Sequence, residues 1–190
     1  MQATPMRDEP ERRALLTTPL GGVAVRWRDA VVTGVELDPA PGDGATDRAG
    51  VPAWLLRQID AYCAHPGFRF SLPTAPAGTP FQREVWRLIA AIPAGTTRTY
   101  AEIAAELGSA PRAVGGACRA NPYPLLVPCH RVVSKAGLGG FAGDTSGRLV
   151  AFKRRLLAHE GVLAGIHAVA PDRSETGAEE DTGEGVGSAA

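Results

Sequence analysis

Two short stretches, Thr79-Pro80-Phe81-Gln82 and Thr99-Tyr100-Ala101-Glu102, each spell the start of a helix. In both, a threonine hydroxyl can accept the backbone N–H three residues on. The Gln or Glu at that position can reach back to the threonine's own N–H. Pro80 suits a first helical turn. The two boxes commit the second half of the chain to short helices with fixed beginnings. The first places Phe81, Val85, Leu88 and Ile89 on one face and stops near Pro93-Ala94-Gly95. The second runs through Ile103, Ala104 and Leu107 and ends at Gly108. After the brief turn Ser109-Ala110-Pro111, a third helix runs from Pro111-Arg112-Ala113-Val114 to about Ala120. Two short helices across a tight turn make a helix-turn-helix pattern, which many bundles share.

The third helix is unusual in composition. "RAVGGACRAN" is built of small residues with Arg112 and Arg119 at its ends. Gly115 and Gly116 each weaken an isolated helix by roughly 1 kcal/mol, and one benefit they could bring is close approach to another backbone. Two readings stand: tight packing on another helix, or entry into a nucleic-acid groove with the arginines on phosphate or in the base stack.

Upstream the period changes from helical to alternating. "ALLTT" (14–18), "VAVRW" (23–27) and "VVTGVEL" (31–37) read as strands, with a hairpin signal at Gly21-Gly22. Residues 39–50 are a loop by composition. Residues 51–65 read as a helix with Trp54, Leu55, Ile59 and Tyr62 near helical spacing. This β-β-β-α unit carries no chemical motif. Cys63 and His65 offer two metal ligands, which do not make a site. "FSLPTAPAGT" (70–79) reads as a linker and domain boundary. The predicted organisation is a flexible 1–13, a small α/β unit over 14–75, a mainly helical domain over 76–165, and a disordered acidic tail over 166–190.

Charge follows that division. Residues 76–165 hold eleven Lys/Arg against five Asp/Glu, whereas 166–190 hold six acids and one base. A basic segment of this kind suits a polyanion, or is simply a solvated face. Three cysteines without framework spacing argue against a disulfide-stapled secreted fold. No signal peptide or membrane span is apparent, so the expected location is the cytoplasm.

A Gly-rich loop (134–147) and a last helix (148–161) close the folded part. That helix has apolar Val150, Phe152, Leu156 and Leu157 beside Lys153, Arg154 and Arg155. Before the loop comes "VPCHRVV" (127–133), delivered by a short strand read at "LLV" (125–127). Cys129 here could fill a core, hold a metal or act as a nucleophile. A free thiol is only about 3% thiolate at pH 7, so a nucleophile needs help. Successive side chains of a strand diverge. Pro128 suggests that the strand has ended, which lets Cys129 and His130 share a pocket. An orienting carboxylate is then needed. Asp144 and Glu160 are the downstream candidates, and Glu160 is favoured because it ends a helix packing beside the site.

"GTPFQREVW", "TYAEIAAELG", "RAVGGACRANP", "VPCHRVV" and "KRRLLAHEG" each resemble a segment of the O6-alkylguanine-DNA alkyltransferase family, in family order. The resemblance extends more faintly over roughly residues 16–162. It implies an α+β fold with a small N-terminal sheet-plus-helix unit, then a helical domain with a helix-turn-helix and a buried Pro-Cys-His-Arg turn. It implies direct repair, in which a damaged guanine is flipped from the duplex and its alkyl group passes to a cysteine. Flipping is needed because O6 lies within the stack. Carried over, Cys129 is the acceptor, His130 its base through water, and Glu160 the carboxylate holding His130. Asn121 is the hinge between recognition helix and active-site turn. Tyr100 rotates the target phosphate and donates a proton towards the leaving guanine. Arg112 fills the gap in the duplex, while Ala113, Gly115 and Gly116 line the minor-groove face. Arg119 and the last-helix bases hold phosphates. Pro124, Val132, Phe141, Ala142 and Gly143 form the substrate pocket. Neither metal nor other cofactor is implied. The implied partner is double-stranded DNA carrying alkylated guanine, with no membrane, and the chain is expected to be a monomer acting once.

The chain departs from the family pattern in three places. Ser109-Ala110-Pro111 is a shorter turn than usual, Phe141 and Ala142 stand where many members carry Tyr and some carry Ser, and "DTSGRL" is a longer loop. Three rival readings are a damage sensor that flips without transfer, a thiol hydrolase using Cys129, His130 and Glu160, and a purely transcriptional helix-turn-helix protein.

Overall fold

The computed structural model describes residues 9–39 and 48–162. The readings for residues 1–8, for most of the 39–50 loop and for the acidic tail lie outside the described residues. Strands β1 (Arg12–Thr18), β2 (Gly21–Arg28) and β3 (Val31–Leu37) form an antiparallel sheet in that order. Arg12 pairs with Trp27 and Arg13 with Arg26. The strand therefore begins two residues inside the stretch expected to be flexible. The β1–β2 register matches Thr18 with Gly21 and leaves Pro19-Leu20 as the link. The turn sits two residues before Gly21-Gly22 because the Thr18 hydroxyl closes it, donating to the Gly21 carbonyl and accepting from Leu20 N–H.

Helix α1 (Ala53–Ala64) buries Leu55, Ile59 and Tyr62 in the core shared by Val23, Val25 and Val32 of the sheet. The segment read as a linker is fastened to the sheet edge. Val32 N–H donates to the Pro73 carbonyl, and Ala75 N–H donates to the Val32 carbonyl. An edge accepts prolines that an inner strand would not. Val35 N–H donates to the Pro122 carbonyl, and the Tyr123 hydroxyl to that of Ala75. The sheet unit and the helical half therefore meet along a shared core.

The helical half comprises α2 (Pro80–Ala90), β4 (Arg98–Thr99), α3 (Tyr100–Glu106), α4 (Pro111–Arg119), β5 (Val132–Val133) and α5 (Arg148–His159). Both capping boxes form as read. Trp86 of α2 donates its indole N–H to the Ala117 carbonyl of α4 at 2.8 Å. This bond sets one helix of the helix-turn-helix on its support. Strands β4 and β5 pair in parallel, Arg98 with Val132 and Thr99 with Val133. That pairing brings Tyr100, the first residue of α3, beside the segment following Cys129.

The strand expected at 125–127 is absent; residues 124–126 form a turn. Pro122, Pro124 and Pro128 remove three backbone donors in seven residues, so no ladder can form. The chain instead folds on itself, Val127 N–H donating to the Tyr123 carbonyl, and enters a 3-10 helix at Cys129–Arg131. No described helix is long and apolar enough to cross a membrane.

Candidate active site

Cys129 lies at an open cleft of about 280 Å3 lined also by Tyr100, Gly115, Cys118, Arg119 and the segment Gly140–Thr145. The 3-10 turn presents the thiol there, only 4% exposed. Asn121, just past α4, holds the turn in place. Its side-chain amide donates to the Val127 carbonyl at 2.9 Å and to the Cys129 sulfur at 3.3 Å, while its carbonyl accepts Tyr123 N–H. One side chain thus ties the end of α4 to the thiol. Burial pushes the Cys129 thiol up from its ordinary value; the Asn121 hydrogen bond and the charge of Lys153 oppose that. The resting group is the thiol, and ionisation requires a base.

One wall of the cleft is a tight hairpin. Phe141 and Asp144 exchange backbone hydrogen bonds, 2.8 Å and 2.9 Å, around Ala142 and Gly143, both at positive φ (50° and 91°). Two positive φ values in a two-residue link mark a type I′ turn. The bare backbone of Gly143 also leaves room for Arg119, since a Cβ there would stand 2.9 Å from Arg119 Nε and push that side chain aside. The longer 144–149 loop also has a physical basis. The Asp144 carboxylate accepts the N–H groups of Ser146, Gly147 and Leu149 and so anchors the entry to α5. Those bonds hold its carboxyl below the ordinary range.

His130 is 1% exposed and faces away from solvent. Its Nε2 lies 2.9 Å from Glu160 Oε1. Arg131 grips the same carboxylate through Nε to Oε2 (2.9 Å) and Nη2 to Oε1 (2.8 Å), and places Nη1 on the Ile92 carbonyl. Burial raises the Glu160 carboxyl, but the His130 and Arg131 donors outweigh it and hold it down at about 2. An ionised carboxylate can only accept, so the proton of neutral His130 sits on Nε2. Nδ1 then carries the lone pair, and it has no protein partner among the described residues. Burial lowers His130 from its ordinary value, opposed by Glu160. The histidine is therefore held neutral and basic on its Nδ1 side.

Several residues take other places than the sequence suggested. Beside Arg154 and Arg155, Lys153 reads from the sequence as a phosphate-binding base, yet its side chain is wholly buried. Its Nζ donates to the carbonyls of Val132 (2.6 Å), Leu138 (2.7 Å) and Gly140 (3.2 Å). Burial pulls its ammonium down to about 8, with Cys129 and Cys118 pulling the other way. Lys153 thus stands under the cleft as a structural cation and cannot reach a phosphate. Arg155 turns to the sheet unit, donating to the Leu20 carbonyl. Pro124 and Val132 are not among the cleft-lining residues, because Val132 is fully buried beside β4 and Pro124 lies in the 124–126 turn.

Tyr100, Phe141, Ala142 and Gly143 do line the cleft with Cys129. The Tyr100 hydroxyl donates to the Gly140 carbonyl at 3.2 Å, and burial raises its pKa, so it remains protonated. Arg112, Ala113, Gly116 and Arg119 are exposed along α4. A Cβ on Gly115 or Gly116 would meet nothing within 4 Å. The glycines are therefore not there for packing within the chain. Three participants escaped the sequence reading: Arg131, Tyr62 and Cys118. Arg131 is in the quoted motif and its charge was the available signal. Tyr62 donates to Glu160 across 98 residues of sequence, which no local pattern could reveal. Cys118 looked like one more small helix residue.

A family model described as "6-O-methylguanine DNA methyltransferase, DNA binding domain" matches residues 80–162. The methylated-DNA–protein-cysteine methyltransferase of Salmonella typhimurium is 51% identical over 96 residues, which are 49% of this chain and 53% of that protein. The match thus spans about half of that relative's length. The protein of the same name from Mycolicibacterium paratuberculosis is 37% identical over 148 residues, 73% of this chain and 89% of its own. Among solved structures, that of Mycobacterium tuberculosis OGT in complex with DNA aligns with a TM-score of 0.60 and 31% identity, covering 78% of this chain and 92% of that one.

Proposed function

The chain belongs to the methylated-DNA–protein-cysteine methyltransferase family, and on that premise we propose that it repairs O6-alkylguanine in double-stranded DNA by moving the alkyl group onto Cys129. The observation that carries this reading is the position of Cys129. Its sulfur borders an open cleft, is bonded by Asn121, and is followed in the chain by a histidine that burial keeps neutral and a carboxylate fixes in one tautomer. The cleft volume falls just below the usual range for small-molecule sites, about 300–1,000 Å3, which suits a single flipped base.

His130 takes the thiol proton on its Nδ1 side through a bridging water, and Glu160 stabilises the resulting imidazolium. The sulfur attacks the alkyl carbon in line; the S–C bond forms as the C–O6 bond breaks, and the bonding pair stays with guanine. Tyr100 supplies a proton to the departing base. The proton lost by sulfur ends in place of the alkyl group once Tyr100 and His130 re-equilibrate. A thioether does not hydrolyse, so each molecule acts once. The exposed face of α4 enters the minor groove, with Arg112 in the gap left by the base and Arg119 near the phosphates. The open space over Gly115 and Gly116 supports this reading of the helix. The protein acts as a monomer in the cytoplasm, where its three free thiols stay reduced.

Benzylguanine titration tests the proposal. Native protein should bind one benzyl group per chain, and Cys129→Ser none. Tight binding to alkylated duplex without any adduct would instead identify a damage sensor.

A further inference from the structure

Tyr62 belongs to the sheet-plus-helix unit, yet its hydroxyl ends in the charged cluster behind the thiol. The side chain is buried, and its O–H donates to Glu160 Oε1 at 2.9 Å. That oxygen also takes Arg131 Nη2 and His130 Nε2. The end of α1 is locked onto the end of α5, because His159 Nε2 lies 2.9 Å from the Tyr62 carbonyl and the two rings meet edge-on. Packing alone would be served by phenylalanine. A buried hydroxyl aimed at an ionised carboxylate that already has three other donor contacts acts on that carboxylate.

We propose that Tyr62 is a positioning residue for alkyl transfer: its hydroxyl holds Glu160 and limits its basicity, so that His130 stays a neutral Nε2–H imidazole able to take the proton of Cys129. This rests on the alkyl-transfer reading. The charged and titratable groups around the pair are Lys153 from α5, Glu160 at its C-terminal cap, Arg131 from the turn itself, and, about Tyr62, Cys63 and His159. Burial and the Glu160 charge push the Tyr62 phenol far up, so it remains a donor at every working pH. With its O–H removed, Glu160 loses a donor and attracts a proton on His130 more strongly. The midpoint of His130 therefore rises.

The experiment is an imidazole 15N–1H titration of the full chain, native and Tyr62→Phe, with His130→Gln to assign the signal. It is paired with benzylguanine alkylation rates over the same pH range. Native protein should show the Nε2–H tautomer. Tyr62→Phe should raise the midpoint by about half a unit, which makes alkylation about threefold slower on the acidic limb. Fluorotyrosine at position 62, a stronger donor, should move both in the opposite direction. A merely structural loss would lower the melting temperature and leave the midpoint in place. An unmoved midpoint in a chain that still alkylates overturns this inference alone. A native chain that never alkylates overturns the transfer reading as well.

Discussion

Cys129 and His130 are adjacent in sequence and occupy opposite surroundings. The front of the turn is open. Its walls combine small residues and two aromatic rings with Arg119 and Asp144, and its sulfur is touched by an amide. The back is sealed. There a carboxylate, a guanidinium, an imidazole and a phenol satisfy one another almost without solvent. In the proposed reaction, a one-residue step across a 3-10 turn separates the place where substrate arrives from the place where the proton is managed. A charged cluster of this kind keeps a fixed tautomer only while water stays out. A reacting sulfur is of no use unless something can reach it.

Breaking the back should have the largest effect on stability. Glu160→Gln leaves Arg131 buried without its counter-ion, and we expect a loss of about 3–5 kcal/mol in urea unfolding. The same residue sets an acid response. Its folded carboxyl lies at about 2, against an ordinary 4.5. Its stabilisation is therefore complete above 4.5 and disappears as pH falls towards 2. His130 adds an earlier decline. The unfolded chain takes up a proton as pH passes 6.5 while the buried imidazole, with its lowered pKa, resists. Urea midpoints recorded from pH 7 to pH 3 should fall in two stages, and Glu160→Gln should flatten the lower one.

Removing the cation beneath the front should matter less. Lys153→Met strands three carbonyls and should cost about 2–3 kcal/mol, with the Cys129 thiol titrating higher because a positive neighbour is gone. Thiol alkylation by iodoacetamide against pH reads that shift. The smallest effect on stability, and of opposite sign, belongs to the outer face of the front. Gly116→Ala adds a methyl that meets nothing in the chain and should stabilise α4 by about 1 kcal/mol. Affinity for duplex DNA should nevertheless fall about tenfold, a cost near 1.4 kcal/mol. Calorimetry and a binding titration at fixed salt separate the two.

The same contrast explains what could be read in advance. The front is written in local motifs. The capping boxes place Tyr100, the glycines mark α4, and the prolines around Cys129 announce a turn, although they also exclude the strand read at 125–127. The back is written in separations of about thirty to a hundred residues. Glu160 could be chosen because few acids were available, but Tyr62 sat in a unit that showed no chemical motif. Lys153 was misplaced for a related reason. On a helix beside Arg154 and Arg155 it reads as one more surface base, and only the packing of β5 and the Gly-rich loop reveals three carbonyls waiting for it.

The proposed transfer puts the alkyl group on the sulfur at the front and on no other. Incubation with a duplex holding one O6-methylguanine, followed by peptide mass spectrometry, tests it directly. Transfer to Cys129 predicts one methyl group on Cys129 in each chain, unmodified Cys118 and Cys63, and no further turnover with excess DNA. A methyl group on Cys118, repeated turnover, or repaired DNA beside an unmodified Cys129 would contradict it.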